Sequence, residues 1–376
     1  MIRIDKKVLT EGLKDVVRIV PRNTTMSILE GILIECKNNN MSITATDLSM
    51  AITTNLACET EMIEENYVIN AKLFNDIINK MPSGDIEITV LEEGKKIEIK
   101  GGKSKFNIAT LGKSTDYPSF KAEIENEVTI SIAGDKFKEV VRRTVPFTAE
   151  DETRPILTGI KLEFNKNKIK GISLDGYRLS HYVENIENEI EKEVVIQSDV
   201  LVHVSRITGE DIKISFDKDE VKNVKFETGN KVIYARILEG QFLNYKDLIK
   251  INNVKTNVKI DTEEFKKAIE RVLVVVQSDN RNAPMLLEFN SENNKLTITT
   301  KTDIATTKEE LDVEIQGESV TIAFNPKFLY EGLKVVEDEK VEMRLNGSLK
   351  QGYILDEKDY IYLILPIRIA ELEKAS

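Results

Sequence analysis

The sequence repeats itself with a step of 128 residues, and this repeat limits the possible folds more than any other feature. Four sets of residues keep the step: Ile4, Ile132 and Ile260; Leu9, Phe137 and Phe265; Asp47, Asp175 and Asp303; Phe106, Tyr234 and Tyr362. Self-similarity at a fixed period indicates homologous structural units. A chain of 376 residues has room for three of them, each large enough for its own core. We predict domains at 1–125, 126–253 and 254–376.

Each repeat reads as a strand, a helix and further strands, and then as the same series again. In the second repeat, Phe137, Val140 and Val141 form one apolar stripe at helical spacing, while Arg142 and Arg143 lie off it. The strand segments alternate apolar and polar residues, which is typical of half-buried antiparallel strands. The pattern predicts an α+β protein in which each domain packs two helices against curved antiparallel sheets.

Composition and charge exclude several classes of protein. The chain is 41% hydrophobic and 31% charged, which is typical of globular domains. Its apolar runs are too short to span a bilayer, and its N-terminus lacks the apolar core of a signal peptide. We therefore expect a cytoplasmic protein with no membrane partner. Cys36 and Cys58 are the two cysteines, and their spacing matches no metal motif. We predict no cofactor and no metal.

Basic residues recur on the predicted helices and on the loops after them. Arg22, Arg154 and Arg281 take equivalent loop positions with a slip of one residue. Acidic residues concentrate elsewhere, for example in the run 187–193. A chain of net charge −11 can therefore still present a basic helical face. The alternative is that these are ordinary solvated helix faces, as most single surface lysines are.

No catalytic constellation is evident in the sequence. Asp47, Asp175 and Asp303 end strands in different repeats and cannot converge on one substrate, so we interpret them as turn residues. His181 and His203 lack Cys or Asp partners at catalytic spacing and are more often structural. We predict that the chain has no catalytic residues and is not an enzyme.

Several motifs together resemble one family. They are TATDLSMAI, ETRPILTGIKLEF, SLDGYRLSHYV, GQFLNYKDLI and the near-terminal YLILPIRI. With the threefold repeat, they resemble the bacterial beta sliding clamps, the beta subunits of DNA polymerase III, over essentially the whole chain. The resemblance implies a head-to-tail ring dimer of DNA-clamp domains, with helices around duplex DNA that is held independently of sequence. The implied function is that of a processivity factor.

The resemblance also implies three sets of site residues. The DNA-binding set is Arg22, Lys72, Arg142, Arg154, Lys266 and Arg281. The pocket for partner peptides is Leu157, Leu174, Gly176, Tyr177, Arg178, Leu179, Leu243, Leu248, Leu365, Pro366, Ile367, Arg368 and Ile369. The dimer interface is Phe106, Ile108, Val274 and Val275. The implied peptide partners are the polymerase III alpha subunit, the clamp loader and repair polymerases. The alternative for the interface residues is ordinary core packing, and the alternative for the pocket residues is an interdomain seam that binds no ligand.

The sequence departs from the family pattern at several positions. Leu243 replaces a usual proline, Asp247 replaces an often basic residue, and Pro155–Ile156 stand where tyrosines are common. The tail Ala370–Ser376 extends beyond the usual end of the chain. These departures keep open an accessory clamp or a clamp-like scaffold that does not itself load on DNA.

Overall fold

The computed structural model describes residues 1–60, 64–118, 124, 126–151, 153–218, 221–278 and 283–369. It divides into two compact units. Unit 1 comprises Met1–Asp135 and His203–Ile237, and unit 2 comprises Lys136–Val202 and Leu238–Ser376. The described ranges contain six α-helices: α1 (Lys6–Val16), α2 (Ala71–Lys80), α3 (Gly134–Thr144), α4 (Ser198–Ile207), α5 (Thr262–Gln277) and α6 (Pro326–Lys334).

Unit 1 is built on one antiparallel sheet. Its strands, in spatial order, are β10 (Glu127–Ala133), β15 (Asp211–Asp217), β16 (Asn223–Thr228), β17 (Lys231–Arg236), β4 (Met50–Ala57), β3 (Asn40–Thr46), β2 (Gly31–Lys37), β6 (Glu64–Asn70), β9 (Ser104–Gly112), β8 (Lys96–Gly101), β7 (Asp85–Leu91), β1 (Ile2–Asp5) and β5 (Glu59–Thr60). Residues of the second repeat thus continue the sheet of the first, since β17 pairs with β4 through Tyr234 and Ala51.

Unit 2 contains two antiparallel sheets. The larger has the order β14 (Lys192–Gln197), β11 (Gly159–Asn165), β12 (Lys168–Leu174), β13 (Arg178–Asn185), β26 (Tyr360–Ile364), β25 (Gly352–Leu355), β24 (Lys340–Leu345), β18 (Thr256–Asp261) and β22 (Glu314–Gly317). The smaller has the order β21 (Thr306–Asp312), β20 (Lys295–Lys301), β19 (Met285–Asn290) and β23 (Val320–Phe324). The predicted α+β class with antiparallel sheets is confirmed.

Side-chain caps fix the turn from strand to helix in both units. The Asp5 carboxylate accepts the N–H of Lys7 at 2.8 Å, and Asn70 accepts the N–H of Leu73 at 2.9 Å. Asp261 does the same at the start of α5. Such caps satisfy first-turn N–H groups that have no partner within the helix. The helices therefore begin where the predicted strand-to-helix segments place them.

The apolar stripes of the helices form the core, as predicted, with one exception. Leu9 and Leu13 on α1 and Phe265 on α5 are fully buried. Arg143 on α3 was predicted to lie off the stripe, but its side chain is also fully buried, against Asp356. Helical periodicity alone predicts that charged side chains face the solvent. A paired carboxylate, however, allows a cationic side chain to be buried in the core.

None of the described helices has both the length and the apolar character needed to cross a bilayer.

Candidate functional site

A basic cleft lies in unit 1, where the end of α1, the loop after it, the start of α2 and α4 come together. Its volume is about 1020 Å³. Its lining residues are Val17, Arg18, Val20, Pro21, Arg22, Glu30, Asn70, Lys72, His203 and Arg206. Among these described residues, four Arg or Lys side chains face a single carboxylate. The basic cleft therefore favours an anionic ligand.

The structure brings together two of the predicted DNA-binding residues, Arg22 and Lys72, in this cleft. Arg18 and Arg206 join them, although they were absent from the predicted set. Arg18 contacts Asp15 at 3.4 Å, and Asp15 also pairs with Lys231. All four cations of the cleft are exposed, so they are accessible to a ligand.

The other predicted DNA-binding residues belong to unit 2 and differ in accessibility. Arg142 bonds the Glu139 carboxylate through Nε and Nη2, both at 2.7 Å. Lys266 donates to the Val336 carbonyl at 2.8 Å, and its side chain is 16% exposed. Arg154 is exposed. Arg281 lies outside the described residues. Arg142 and Lys266 are thus already held by groups of their own unit.

An apolar patch occurs in unit 2, next to a buried cluster. The cluster consists of Leu157, Ile172, Leu174, Leu179, Tyr245, Tyr353 and Leu363. The apolar patch consists of four large side chains that remain exposed: Tyr177, Leu243, Leu248 and Leu365. Within the patch, the Leu365 N–H donates to the Tyr177 carbonyl at 2.9 Å, and the Tyr353 hydroxyl of the cluster donates to the Leu248 carbonyl of the patch at 3.0 Å. Contiguous exposed apolar residues mark interaction sites.

The turn that presents Tyr177 depends on Asp175 and Gly176. The Asp175 carboxylate accepts the N–H groups of Tyr177 and Arg178 at 2.9 and 3.0 Å. Gly176 has a φ of +94°, which a residue with a Cβ rarely adopts. Asp47 makes the equivalent turn in unit 1, accepting from the N–H of Ser49 at 2.9 Å. These two aspartates have the predicted turn role.

Arg178 is buried beside the turn that presents Tyr177 of the apolar patch. Its side chain is 8% exposed and contacts Asp175 at 2.8 Å, as well as Glu331 on α6. The guanidinium lies over the rings of Phe328 and Phe147, with centroid distances of 4.3 and 5.3 Å. Burial opposes the charge on Arg178, but the two carboxylates outweigh it and raise its pKa. Arg178 thus stays charged and fixes the wall that carries Tyr177.

The segment after β26 completes this region. Ile367 N–H donates to the Ala323 carbonyl at 2.8 Å, which anchors the segment beside β23. Leu365 and Arg368 are exposed, while Pro366, Ile367 and Ile369 are partly buried. The predicted tail Ala370–Ser376 lies outside the described residues.

Two strand edges lie beside exposed apolar side chains. Within the described residues, Ser104–Ile108 of β9 pair only with β8, and β21 pairs only with β20. Phe106 on β9 is 41% exposed, whereas Ile108 is buried. Val274 on α5 is 68% exposed and Val275 is half-buried. The predicted interface set omitted β21, whose open edge follows from its pairing with β20 alone among the described strands.

Two arginine hydrogen bonds tie α5 to β21, so that these elements share one surface. Arg271 donates to the Glu309 carboxylate at 2.9 and 2.6 Å. The β21 edge carries several acidic residues, while Lys105 lies on β9 and Lys103 directly precedes it. Among the described side chains, no group of three or more His, Cys, Asp or Glu is arranged to hold a metal ion.

The sequence profiles of three domains match the chain in order. The N-terminal, central and C-terminal domains of the DNA polymerase III beta subunit match residues 1–121, 131–244 and 252–368. The chain belongs to the family of the DNA polymerase III beta subunit, the beta sliding clamps. Its three-domain organisation is that of this family.

Relatives and solved structures agree over nearly the whole length. The beta sliding clamp of Bacillus subtilis is 28% identical over 97% of this chain and 98% of its own. That of Staphylococcus aureus strain MW2 is 29% identical over 95% and 96%. The crystal structure of the Bacillus subtilis clamp has a TM-score of 0.91 at 27% identity, covering 98% of this chain and 99% of its own. The Thermotoga maritima beta subunit has a TM-score of 0.87 at 26% identity, covering 98% and 100%.

Proposed function

We propose that two copies of this chain close into a ring around duplex DNA and tether the replicative polymerase to it. The observation that carries this proposal is the basic cleft, in which Arg18, Arg22, Lys72 and Arg206 converge in a chain of net charge −11. A mobile grip on DNA needs cations that face phosphates, because phosphate contacts carry no sequence information. The chain acts in the cytoplasm and without catalysis.

The ring closes between the β9 edge of one copy and the β21 edge of the other. Open strand edges attract further strands, and closure of a head-to-tail contact removes both edges from solvent. Phe106 and Val274 supply the apolar contact, with Ile108 and Val275 behind them. The lysines near β9 and the carboxylates of β21 have opposite charge, which orients the two edges.

The apolar patch captures short peptide segments of partner proteins. Tyr177, Leu243, Leu248 and Leu365 expose apolar surface next to a rigid buried cluster, which is the arrangement that peptide recognition requires. We propose the polymerase III alpha subunit, the clamp loader and repair polymerases as the sources of these peptides. One side of this proposed site is formed by the last residues that the structure describes: Leu365, Pro366, Ile367, Arg368 and Ile369.

Retention on DNA of different topology tests this function. The protein is loaded by its clamp loader and ATP onto a nicked circular plasmid, and half of the sample is then linearised. We expect retention on the circle and loss from the linear DNA, because a ring slides off free ends. Equal retention on both forms, or none on either, would contradict encirclement and favour the scaffold.

A further inference from the structure

A second, smaller cleft in unit 1 lies where the threefold repeat predicts a counterpart of the apolar patch region. Three of its lining residues stand 128 positions before residues of the buried cluster in unit 2. The corresponding pairs are Thr44 and Ile172, Ala51 and Leu179, and Tyr117 and Tyr245. Thr44 and Ala51 have smaller side chains than Ile172 and Leu179, and Thr44 is also more polar than Ile172. The cleft is therefore suited to a different ligand.

The cleft is built on one face of β2, β3, β4 and β17, beneath the segment 114–118. Its volume is about 210 Å³. We call it the threonine cleft and define it by its lining residues: Leu33, Glu35, Thr44, Ala51, Thr53, Ser114, Thr115, Tyr117, Pro118 and Tyr234. This volume is below the range of typical small-molecule pockets, so the threonine cleft suits a group no larger than a single side chain.

Hydrogen bonds hold the walls of the threonine cleft in place. The Thr44 and Thr53 hydroxyls are 2.9 Å apart across two paired strands. The buried Tyr117 hydroxyl donates to the Gly31 carbonyl at 3.1 Å, and Tyr117 N–H donates to the Ser114 carbonyl at 3.1 Å. The segment above the sheet is therefore fixed to it, and the cleft exists without a ligand.

Glu35 gives the cleft its charge. It is the one ionisable acid or base among the described lining residues apart from the tyrosines, and it is partly exposed. Its carboxylate accepts a hydrogen bond from the Ser42 hydroxyl at 3.4 Å, a long contact that leaves acceptor capacity. Leu33, Ala51, Pro118 and Tyr234 supply apolar contact in the same space. A ligand with an aliphatic stem and a cationic donor at its end complements both features.

We propose that the threonine cleft docks a lysine side chain from an extended segment of a partner protein. The four methylenes of lysine pack against the apolar walls, and its ammonium donates to Glu35 and the threonine hydroxyls. Lysine carries three donors on a compact head, so it can satisfy several acceptors at once. This site is separate from the apolar patch and needs neither DNA nor ring closure.

Peptide titration of the full-length protein tests this proposal. The probe is acetyl-Ala-Lys-Ala-amide, followed by methyl NMR of labelled alanine and threonine residues. Saturable shifts are expected at Ala51, Thr44 and Thr53, and the norleucine analogue, which lacks the ammonium, is expected to bind at least about tenfold more weakly. Equal binding of both probes, or no saturable shift with lysine, would overturn the proposal.

Two variants separate the charge from the hydroxyls. Glu35→Gln is expected to weaken binding of the lysine probe about tenfold, because the amide oxygen that replaces the carboxylate accepts a hydrogen bond without a negative charge. Thr53→Val, which keeps the shape, is expected to weaken it less. Glu318→Gln removes an exposed carboxylate elsewhere and serves as the matched control. If Glu35→Gln bound the lysine probe with unchanged affinity, the threonine cleft would not recognise the ammonium group. Because loading on DNA is not involved, this result is independent of the ring.

Discussion

The guanidinium of Arg143 on α3 donates to the carboxylate of Asp356 beyond β25, and neither side chain is exposed to solvent. Glu139 accepts a second bond from Arg143 at 2.5 Å. The rings of Tyr182 and Tyr360 lie 4.7 and 5.3 Å from the guanidinium carbon. This pair joins residues 213 positions apart, so it links two repeats of the sequence inside unit 2.

Removing one partner of this pair is expected to destabilise the protein strongly. Asp356→Ala leaves the buried Arg143 with less compensation and should lower the free energy of unfolding by about 3–5 kcal/mol. Urea denaturation followed by circular dichroism measures the change. Asp312→Ala breaks the exposed pair with Lys295 and should cost at most about 1 kcal/mol. Similar losses in the two variants would contradict a special role for the buried pair.

His181 predicts a dependence of stability on pH. Burial, and then the nearby charge of Lys170, lower its pKa from 6.5 to about 4. The unfolded chain therefore binds this proton more readily than the folded chain between these values. The free energy of unfolding should fall by about 3 kcal/mol from this group as pH drops from about 6.5 to about 4. His181→Gln should remove that slope in urea titrations at stepped pH.

The titration of Glu139 does not contribute to the difference in slope between the wild-type protein and His181→Gln. Burial raises its pKa, but hydrogen bonds from Arg142 and Arg143 outweigh burial and lower the pKa to about 2. Its stabilising contribution is present above about pH 4.5 and is lost as the pH falls towards about 2. Because Glu139 is present in both proteins, its effect cancels. An unchanged slope between pH 4 and 6.5 in His181→Gln would rule out His181 as its source.

Charge reversal in the basic cleft should weaken DNA binding and its dependence on salt. The double variant Arg22→Glu with Lys72→Glu should make the slope of log K against log salt shallower by about 1–2, because fewer counterions are released. Fluorescence anisotropy of a labelled duplex over a salt series measures this slope. Lys255→Glu with Lys295→Glu reverses two lysines on or beside strands and should leave the slope nearly unchanged. If both double variants behave alike, net charge rather than the cleft governs binding.

Polar substitution in the apolar patch should abolish capture of peptides. Leu248→Asp and Leu365→Asp should each weaken binding of a peptide from the polymerase III alpha subunit at least about tenfold, since burial of a leucine is worth about 1.5–3 kcal/mol. Isothermal titration calorimetry gives the affinities. Leu349 is 37% exposed, the same fraction as Leu248, and Leu349→Asp is the control. Full affinity in the first two variants would place the peptide site elsewhere.

A charge at the proposed ring joint should separate the protomers. Phe106→Glu and Val274→Glu each place a carboxylate in a contact that is apolar when formed, and burial of an unpaired charge is costly. Sedimentation velocity at micromolar concentration should show a shift from dimer to monomer. Val254→Glu, at another exposed valine, should remain dimeric. A dimer that survives both joint substitutions would refute this contact.

Local pattern was enough to predict the helices and several turns. The apolar stripe of Leu9 and Leu13 gave the position of α1, and strand-end reasoning gave the turn role of Asp175. Both depend on neighbours within a few residues, where periodicity and side-chain caps determine structure.

Features that depend on distant residues escaped the prediction. The basic cleft joins Arg22 to Arg206 across nearly half the chain, and no local pattern encodes that approach. Likewise, the burial of Arg143 depends on its distant partner Asp356. The open edge of β21 depends on which strands pair in the sheet. Sequence spacing supplies candidates for such sites, while tertiary packing decides which of them meet.

The unlike edges of β9 and β21 also bear on how many copies assemble. In the joint proposed above, each added copy would cover one edge and offer another, so association would stop only when the last edge pairs with the first. The bend at each joint sets that number. A substitution that straightened the joint without weakening it would therefore convert the proposed closed pair into a larger ring or an open filament.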